Sequence, residues 1–196
     1  MTQRKGNTMA EAFRYLFEPG RIGQAEMRNR IVYGAMGTAM FEEGGRVSRR
    51  QMDYYAERAR GGAGLIITEA TAVSRKIEPA GGLMMADSDA LIVPLADLAD
   101  AVHDAGGRIF VQLTAGFGRQ GAGAPPVAPS AVPAFFNPEV TCRPLTLDEI
   151  HTLIEDFGQA ARRVMLAGFD GIEIHGHTGY LIDQFLSPSW NQRTDE

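Results

Sequence analysis

The chain has 196 residues, 44% of them hydrophobic and 22% charged, with a net charge of −5, proportions that fit an ordinary globular domain with a sizeable core. Its lysines and arginines are scattered, so the charge pattern points to neither a nucleic acid nor a membrane surface as partner. The single cysteine, Cys142, excludes an intrachain disulfide and fits a reducing compartment. Arg4 and Lys5 are followed by no apolar signal segment, and no run has the length of a membrane span, so a soluble cytoplasmic protein is expected.

Residues 1–12 read as an N-terminal extension, and Met9 offers a second possible start. Ile31 to Ala35 is a short apolar run that leans to β structure. Ser48 to Arg60 reads as a helix: Ser48 suits an N-cap, Tyr54, Tyr55 and Ala59 give an apolar side, and Gly61-Gly62 ends it. Leu65-Ile66-Ile67-Thr68 is apolar throughout, as expected of a strand covered on both faces. Asp89 to Ala105 is predicted helical, with Leu91, Leu95, Leu98 and Val102 at spacings of three and four. Arg108 to Leu113 is the third strand. The Gly/Pro-rich stretch from Ala115 to Pro144 is far longer than an ordinary connection, which suggests a functional loop. Thr146 and Glu149 form a capping-box pair for a helix running to Leu166, and Gly171 to Ile174 is the fourth strand.

Helices alternating with short buried strands predict a parallel α/β sheet. A doubly wound nucleotide binder would carry a Gly-rich phosphate turn after its first strand. Gly34-Ala35-Met36-Gly37-Thr38 is not that turn, and no helix follows Gly116-Phe117-Gly118. The better expectation is a (β/α)₈ TIM barrel of which the first four strands are present, residues 13–196 forming its N-terminal half.

The fourth strand ends directly in His175, His177, Thr178 and Tyr180. Titratable side chains at the C-terminal end of a barrel strand mark the catalytic face. Read from the residues alone, Tyr180 suits either proton transfer or packing against Leu181 and Phe185 on a short helical turn. Gln112 lies within an apolar strand and requires a partner for its amide. Met36 reads as core filler, and Arg193, Thr194 and Asp195 as a polar cluster that orders a loop. Cys142 reads as an inert loop thiol, and no metal site is expected.

Four segments in the right order carry a family resemblance: "LFEPGRIGQAEMRNRIVYGAMGT", "YYAERARGGAGLIITEATAV", "VQLTAGFGR" and "GFDGIEIHGHTGYLIDQFLSPSWNQRTDE". Together they resemble the N-terminal half of the Old Yellow Enzyme family, in its 2,4-dienoyl-CoA reductase and 2-enoate reductase branch of NADH:flavin oxidoreductases. The resemblance implies FMN as cofactor, NAD(P)H as reductant and a small-molecule substrate with an activated C=C, an enone, enoate or enoyl-type compound. Ala35, Met36 and Gly37 match the segment that lies against the flavin, Ala70 the small residue beside its ring, and Gln112 the amide on its pyrimidine edge. His175 and Thr178, with His177 between them, match the pair that holds the substrate carbonyl oxygen, and Tyr180 the tyrosine that protonates carbon.

Three positions depart from the family pattern. Thr178 stands where a second His or an Asn is usual, Ala35 where proline precedes the methionine, and Gly37 where some members carry Thr or Cys. The resemblance places the phosphate-binding loops in the second half of the barrel and any iron-sulfur cluster outside this segment. The 196 residues alone are therefore expected to hold FMN weakly or not at all, and a homo-oligomer or a missing C-terminal half to complete them. A non-catalytic half-barrel and a flavin-dependent amine dehydrogenase are the alternative expectations.

Overall fold

The computed structural model describes residues 12–78, 82–121 and 125–195, so nearly all of the expected N-terminal extension lies outside the described residues. The chain opens with a one-turn helix, α1 (Arg14–Phe17), and an antiparallel hairpin of β1 (Gly20–Ile22) and β2 (Ala25–Met27). Neither is signalled by sequence periodicity, because three or four residues are too few to show one. The alternation then follows as predicted, with one short strand, β5, added: β3 (Val32–Tyr33), α2 (Arg49–Arg60), β4 (Leu65–Ala72), β5 (Met84–Met85), α3 (Ile92–Asp104) and β6 (Arg108–Thr114). A short parallel pair, β7 (Val127–Ala128) and β8 (Arg143–Pro144), lies inside the long loop, ahead of α4 (Leu147–Leu166), β9 (Gly171–Ile174) and α5 (Leu181–Leu186).

Local chemistry sets the boundaries. The Ser48 hydroxyl accepts from the Gln51 backbone N–H at 3.1 Å and starts α2. At α4 the capping box is complete: Glu149 N–H donates to Thr146 Oγ1 (3.2 Å), and Thr146 N–H donates to the Glu149 carboxylate (2.9 Å). The helix expected from Asp89 instead begins with a 3₁₀ turn, Asp89–Leu91, and becomes α-helical only at Ile92. Pro94 explains the shift, since a residue without an N–H is accommodated only in the first turn of an α-helix.

The main sheet is parallel and runs β3-β4-β6-β9 in chain order, with the two-residue β5 pairing with the end of β4 off this path. The helices cover one face of it. Tyr55 and Ala59 of α2, Leu95, Leu98 and Val102 of α3, and Ala160 and Val164 of α4 pack with Ile66, Ile109, Val111 and Leu113. On the other face Leu65, Ile67 and Phe110 pack with Ala25 and Met27 of the hairpin. Sequential strand order with helices on one face is the wall of a barrel, whereas a doubly wound sheet reverses order and carries helices on both faces. Gly171 belongs to this inner face: a Cβ there would meet the Phe110 ring at 2.6 Å.

The described residues of the loop from 115 to 144 are held by contacts among themselves and with the chain after α5. Cys142 is buried with Ala128, Val132 and Ala134, and burial pushes its thiol pKa up, as an inert thiol requires. Arg119 stacks its guanidinium 3.9 Å from the Trp190 ring. Arg193 donates to the carbonyls of Pro129 (2.9 Å) and Leu145 (2.5 Å) and pairs with Asp195, so this polar cluster orders the loop. Among the described residues no helix is long and apolar enough to cross a membrane.

Candidate active site

The C-terminal edge of the parallel sheet is built in levels. One level pairs Ala70 of β4 with Gln112 of β6, and Gln112 with Glu173 of β9. Ala70 reaches this level because β4 carries a bulge between Ile67 and Ala70, which places one extra residue on that strand. Gln112 is buried, and its Nε2 donates to Glu173 Oε1 at 2.6 Å. The amide therefore has a protein partner, Glu173, which the sequence reading does not single out. A carboxylate only accepts, so it fixes the amide's orientation and leaves the carbonyl oxygen and the second N–H for another ligand.

The bulge also redirects Glu69. Its buried carboxylate accepts from Thr38 N–H (2.8 Å), Thr38 Oγ1 (2.6 Å), Ala39 N–H (3.3 Å) and the Gln51 amide. This network ties the segment after β3, which carries Ala35, Met36 and Gly37, to both β4 and α2. Met36 is 52% exposed, so it is not the core filler that its residue type suggests. A Cβ added at Gly34 or Gly37 would meet nothing within 4 Å, which leaves bare backbone at this edge.

At the end of β9 the backbone N–H of His175 donates to Leu113 O at 2.9 Å and extends the ladder by one residue. Its ring is stacked with His177 (centroids 4.4 Å) and with Tyr180 (4.5 Å). Tyr180 meets Phe117 edge-on at 4.9 Å. The His175 side chain is buried, and its Nδ1 has no hydrogen-bond partner in the protein. Burial, with the neighbouring His177, holds the His175 pKa below the usual histidine value, so the ring is neutral at pH 7. Burial and then the Glu78 carboxylate raise the Tyr180 phenol above its ordinary value. Glu78 is itself buried, accepts from the N–H groups of Phe117 (3.1 Å) and Gly118 (2.9 Å), and is pushed up to about 7 by burial.

The structure thus brings His175, His177 and Tyr180 into one stack. His177 is the exposed member, and its Nδ1 is hydrogen-bonded to the Thr178 hydroxyl. Thr178 adopts φ +65°, a conformation β-branched residues strongly disfavour and that Asn and His tolerate better. Thr178→Asn is expected to raise stability by about 1 kcal/mol, read from the urea midpoint, because it relieves this backbone strain. An unchanged or lower midpoint would refute the strain argument. Glu69, Glu78, Glu173 and Gln184 complete the surroundings of the site. Glu69 and Glu173 are signalled in the sequence as polar residues inside apolar runs, which names no partner, whereas Glu78 and Gln184 carry no such signal.

The sequence matches the NADH:flavin oxidoreductase / NADH oxidase family over residues 15–196. It is 40% identical to the cinnamate reductase of Clostridium sporogenes over 96% of this chain and 30% of that protein. It is 45% identical to the NADH oxidase of Thermoanaerobacter brockii over 94% of this chain and 29% of that protein. Among solved structures it resembles the old yellow enzyme homologue of Zymomonas mobilis with a TM-score of 0.81 and 38% identity, covering 92% of this chain and 54% of that one. The chain therefore spans about half of that barrel and under a third of the two longer relatives. A parallel wall in sequential order, a histidine-tyrosine stack at its C-terminal edge and these matches agree: the chain belongs to the NADH:flavin oxidoreductase / NADH oxidase family and forms the N-terminal half of its TIM barrel.

Proposed function

We propose that this chain supplies the substrate side and one flank of the FMN site in an NAD(P)H-dependent ene-reductase acting on an activated C=C in the cytoplasm. The observation that carries the reading is the His175–Tyr180 stack, with an unpartnered buried Nδ1, two residues along β9 from the Gln112–Glu173 pair. The residues fit a flavin. Gln112 is oriented to offer a donor and an acceptor side by side, Ala70 is a small residue on the adjoining strand β4, and Met36 and Gly37 present exposed side chain and bare backbone in the segment after β3. When bound, FMN supplies the hydride that it has taken from NAD(P)H. Neutral His175 donates a hydrogen bond to the substrate carbonyl and stabilises the negative charge that grows on its oxygen. Tyr180 gives its phenolic proton to the carbon next to that carbonyl. His177 and Thr178 line the substrate's approach, Thr178 replacing the stronger second donor.

The reading includes a need for a second half. Ile174 on β9 is 58% exposed, and Met165 and Leu166 at the end of α4 are 53% and 59% exposed, beside an unpaired strand edge. Such surface is normally covered by the next βα unit. The test joins the chain with a second half, loads it with FMN, and assays NAD(P)H oxidation against an enone, an enoate, an enoyl thioester and a tertiary amine. Turnover of one of the alkenes is the expected result. Turnover of the amine alone would replace the proposal with amine dehydrogenation, and an inert flavin complex would favour a non-catalytic half-barrel. A stoichiometric flavin spectrum from the 196 residues alone would refute the need for a second half.

A further inference from the structure

Gln184 of α5 is fully buried, and every polar atom of its side chain is engaged with backbone from two different loops. Its Nε2 donates to Phe117 O at 3.1 Å and to Gly179 O at 2.7 Å, while its Oε1 accepts from Arg119 N–H at 3.1 Å. Its own N–H donates to Tyr180 O at 2.9 Å. The first loop carries Phe117, whose ring meets Tyr180 edge-on, and the second carries Tyr180 itself. A further bond, Leu181 N–H to Gly116 O at 3.3 Å, closes the same junction. Gly118, at φ +59°, has no room for a side chain, because a Cβ would meet the Gln184 amide. On its far side the Phe117–Gly118 turn is held by the Glu78 carboxylate.

We infer that Gln184 is a positioning residue for Tyr180: by tying the loop after β6 to the loop after β9, it fixes the phenol ring between Phe117 and His175. A ring with one free torsion into solvent would sample many directions, and proton transfer to carbon needs one. The inference rests on the reading of Tyr180 as the proton donor, and two separate readouts keep the two ideas apart.

The first readout is kinetic, on the chain joined to a second half and loaded with FMN. Gln184→Met keeps the length and apolar bulk of the side chain and removes both donors and the acceptor. Alkene reduction by the pre-reduced protein should fall about tenfold or more, the scale expected for a catalytic group displaced by an ångström. Reduction of the flavin by NAD(P)H, which uses no phenolic proton, should stay within about twofold. Gln184→Glu, which when protonated retains one donor, should fall between the wild type and Gln184→Met. If Gln184→Met does not fold, that milder variant carries the test. Equal slowing of both half-reactions would mean a merely structural role and overturn the inference.

The second readout needs no turnover. With isotope-labelled tyrosine, the Tyr180 resonance is identified by its loss in Tyr180→Phe, and its titration is followed in each Gln184 variant. Tyr180 is raised by burial and by the Glu78 carboxylate, the charged group that faces it. Loosening the ring should therefore move its midpoint down toward the ordinary tyrosine value. An unmoved resonance and midpoint would overturn the inference. A moved midpoint, together with a Tyr180→Phe variant that reduces alkenes normally, would leave the positioning role standing and remove the proton-donor reading.

Discussion

Tyr180→Phe is expected to slow alkene reduction by roughly 10²–10⁴-fold, the usual contribution of a positioned general acid, while flavin reduction by NAD(P)H stays within about twofold. The asymmetry follows from where the phenol sits. Its ring is held between His175 at 4.5 Å and Phe117 at 4.9 Å, and phenylalanine preserves both contacts. The substitution thus removes the proton and little else. The pH profile provides a check with a definite sign. The Tyr180 pKa is raised above 10 by burial and by Glu78, so the phenol remains protonated throughout the neutral range. The alkene step should be flat from about pH 7 to 10 and fall only on the alkaline side, as the proton is lost. In Tyr180→Phe the alkaline fall should disappear with the rate. An alkene rate within a few-fold of wild type in single-turnover experiments would show that carbon is protonated by another group or by water.

His175→Leu is expected to cost roughly 10²–10³-fold in kcat/KM for the alkene, the scale of losing one donor to a developing oxyanion. Leucine keeps an apolar surface against Tyr180 and removes the ring nitrogens. His175 combines burial, a depressed pKa and an unpartnered Nδ1, so it is a neutral ring with unused hydrogen-bonding capacity. The sign of the linkage follows from the depressed pKa. Folding favours the neutral ring, so its contribution to stability is present above about pH 6.5 and is lost as pH falls through the folded-state value. The Leu variant should therefore be less sensitive to acid between pH 6.5 and that lower value, as measured by denaturant midpoints across pH. If kcat/KM for the alkene falls by less than about threefold, the carbonyl is not held by His175.

Several elements were legible in the sequence because their causes are local. The Thr146–Glu149 capping box, the Ser48 cap and the three-four spacing of Leu91, Leu95, Leu98 and Val102 depend on residues within one or two turns of each other. The strand Gly171–Ile174 and the polar cluster that follows it were equally plain, since alternation and strand-end placement are read directly along the chain. The family followed from four such segments in order. The α3 boundary moved to Ile92 for a reason the sequence also contains, Pro94, acting against a helical period that by itself extends to Asp89.

The arrangement of the site was decided by contacts between residues far apart in the chain. Glu69 reaches back to Thr38, Gln184 reaches back to Phe117, and Glu78 meets Phe117 and Gly118 across the next βα unit. A polar residue in an apolar run shows that some partner is needed, because leaving its amide or carboxylate bare would be costly, but not which partner. That choice appears only when the strands are in register. The bulge in β4 then brings Ala70 level with Gln112, and Gln112 comes beside Glu173. The sequence by itself thus determined the family, the order of elements and the identity of the histidine-tyrosine cluster. Only the tertiary structure decided which side chains hold that cluster in place, because pairing of the strands in register selects partners that local propensity cannot.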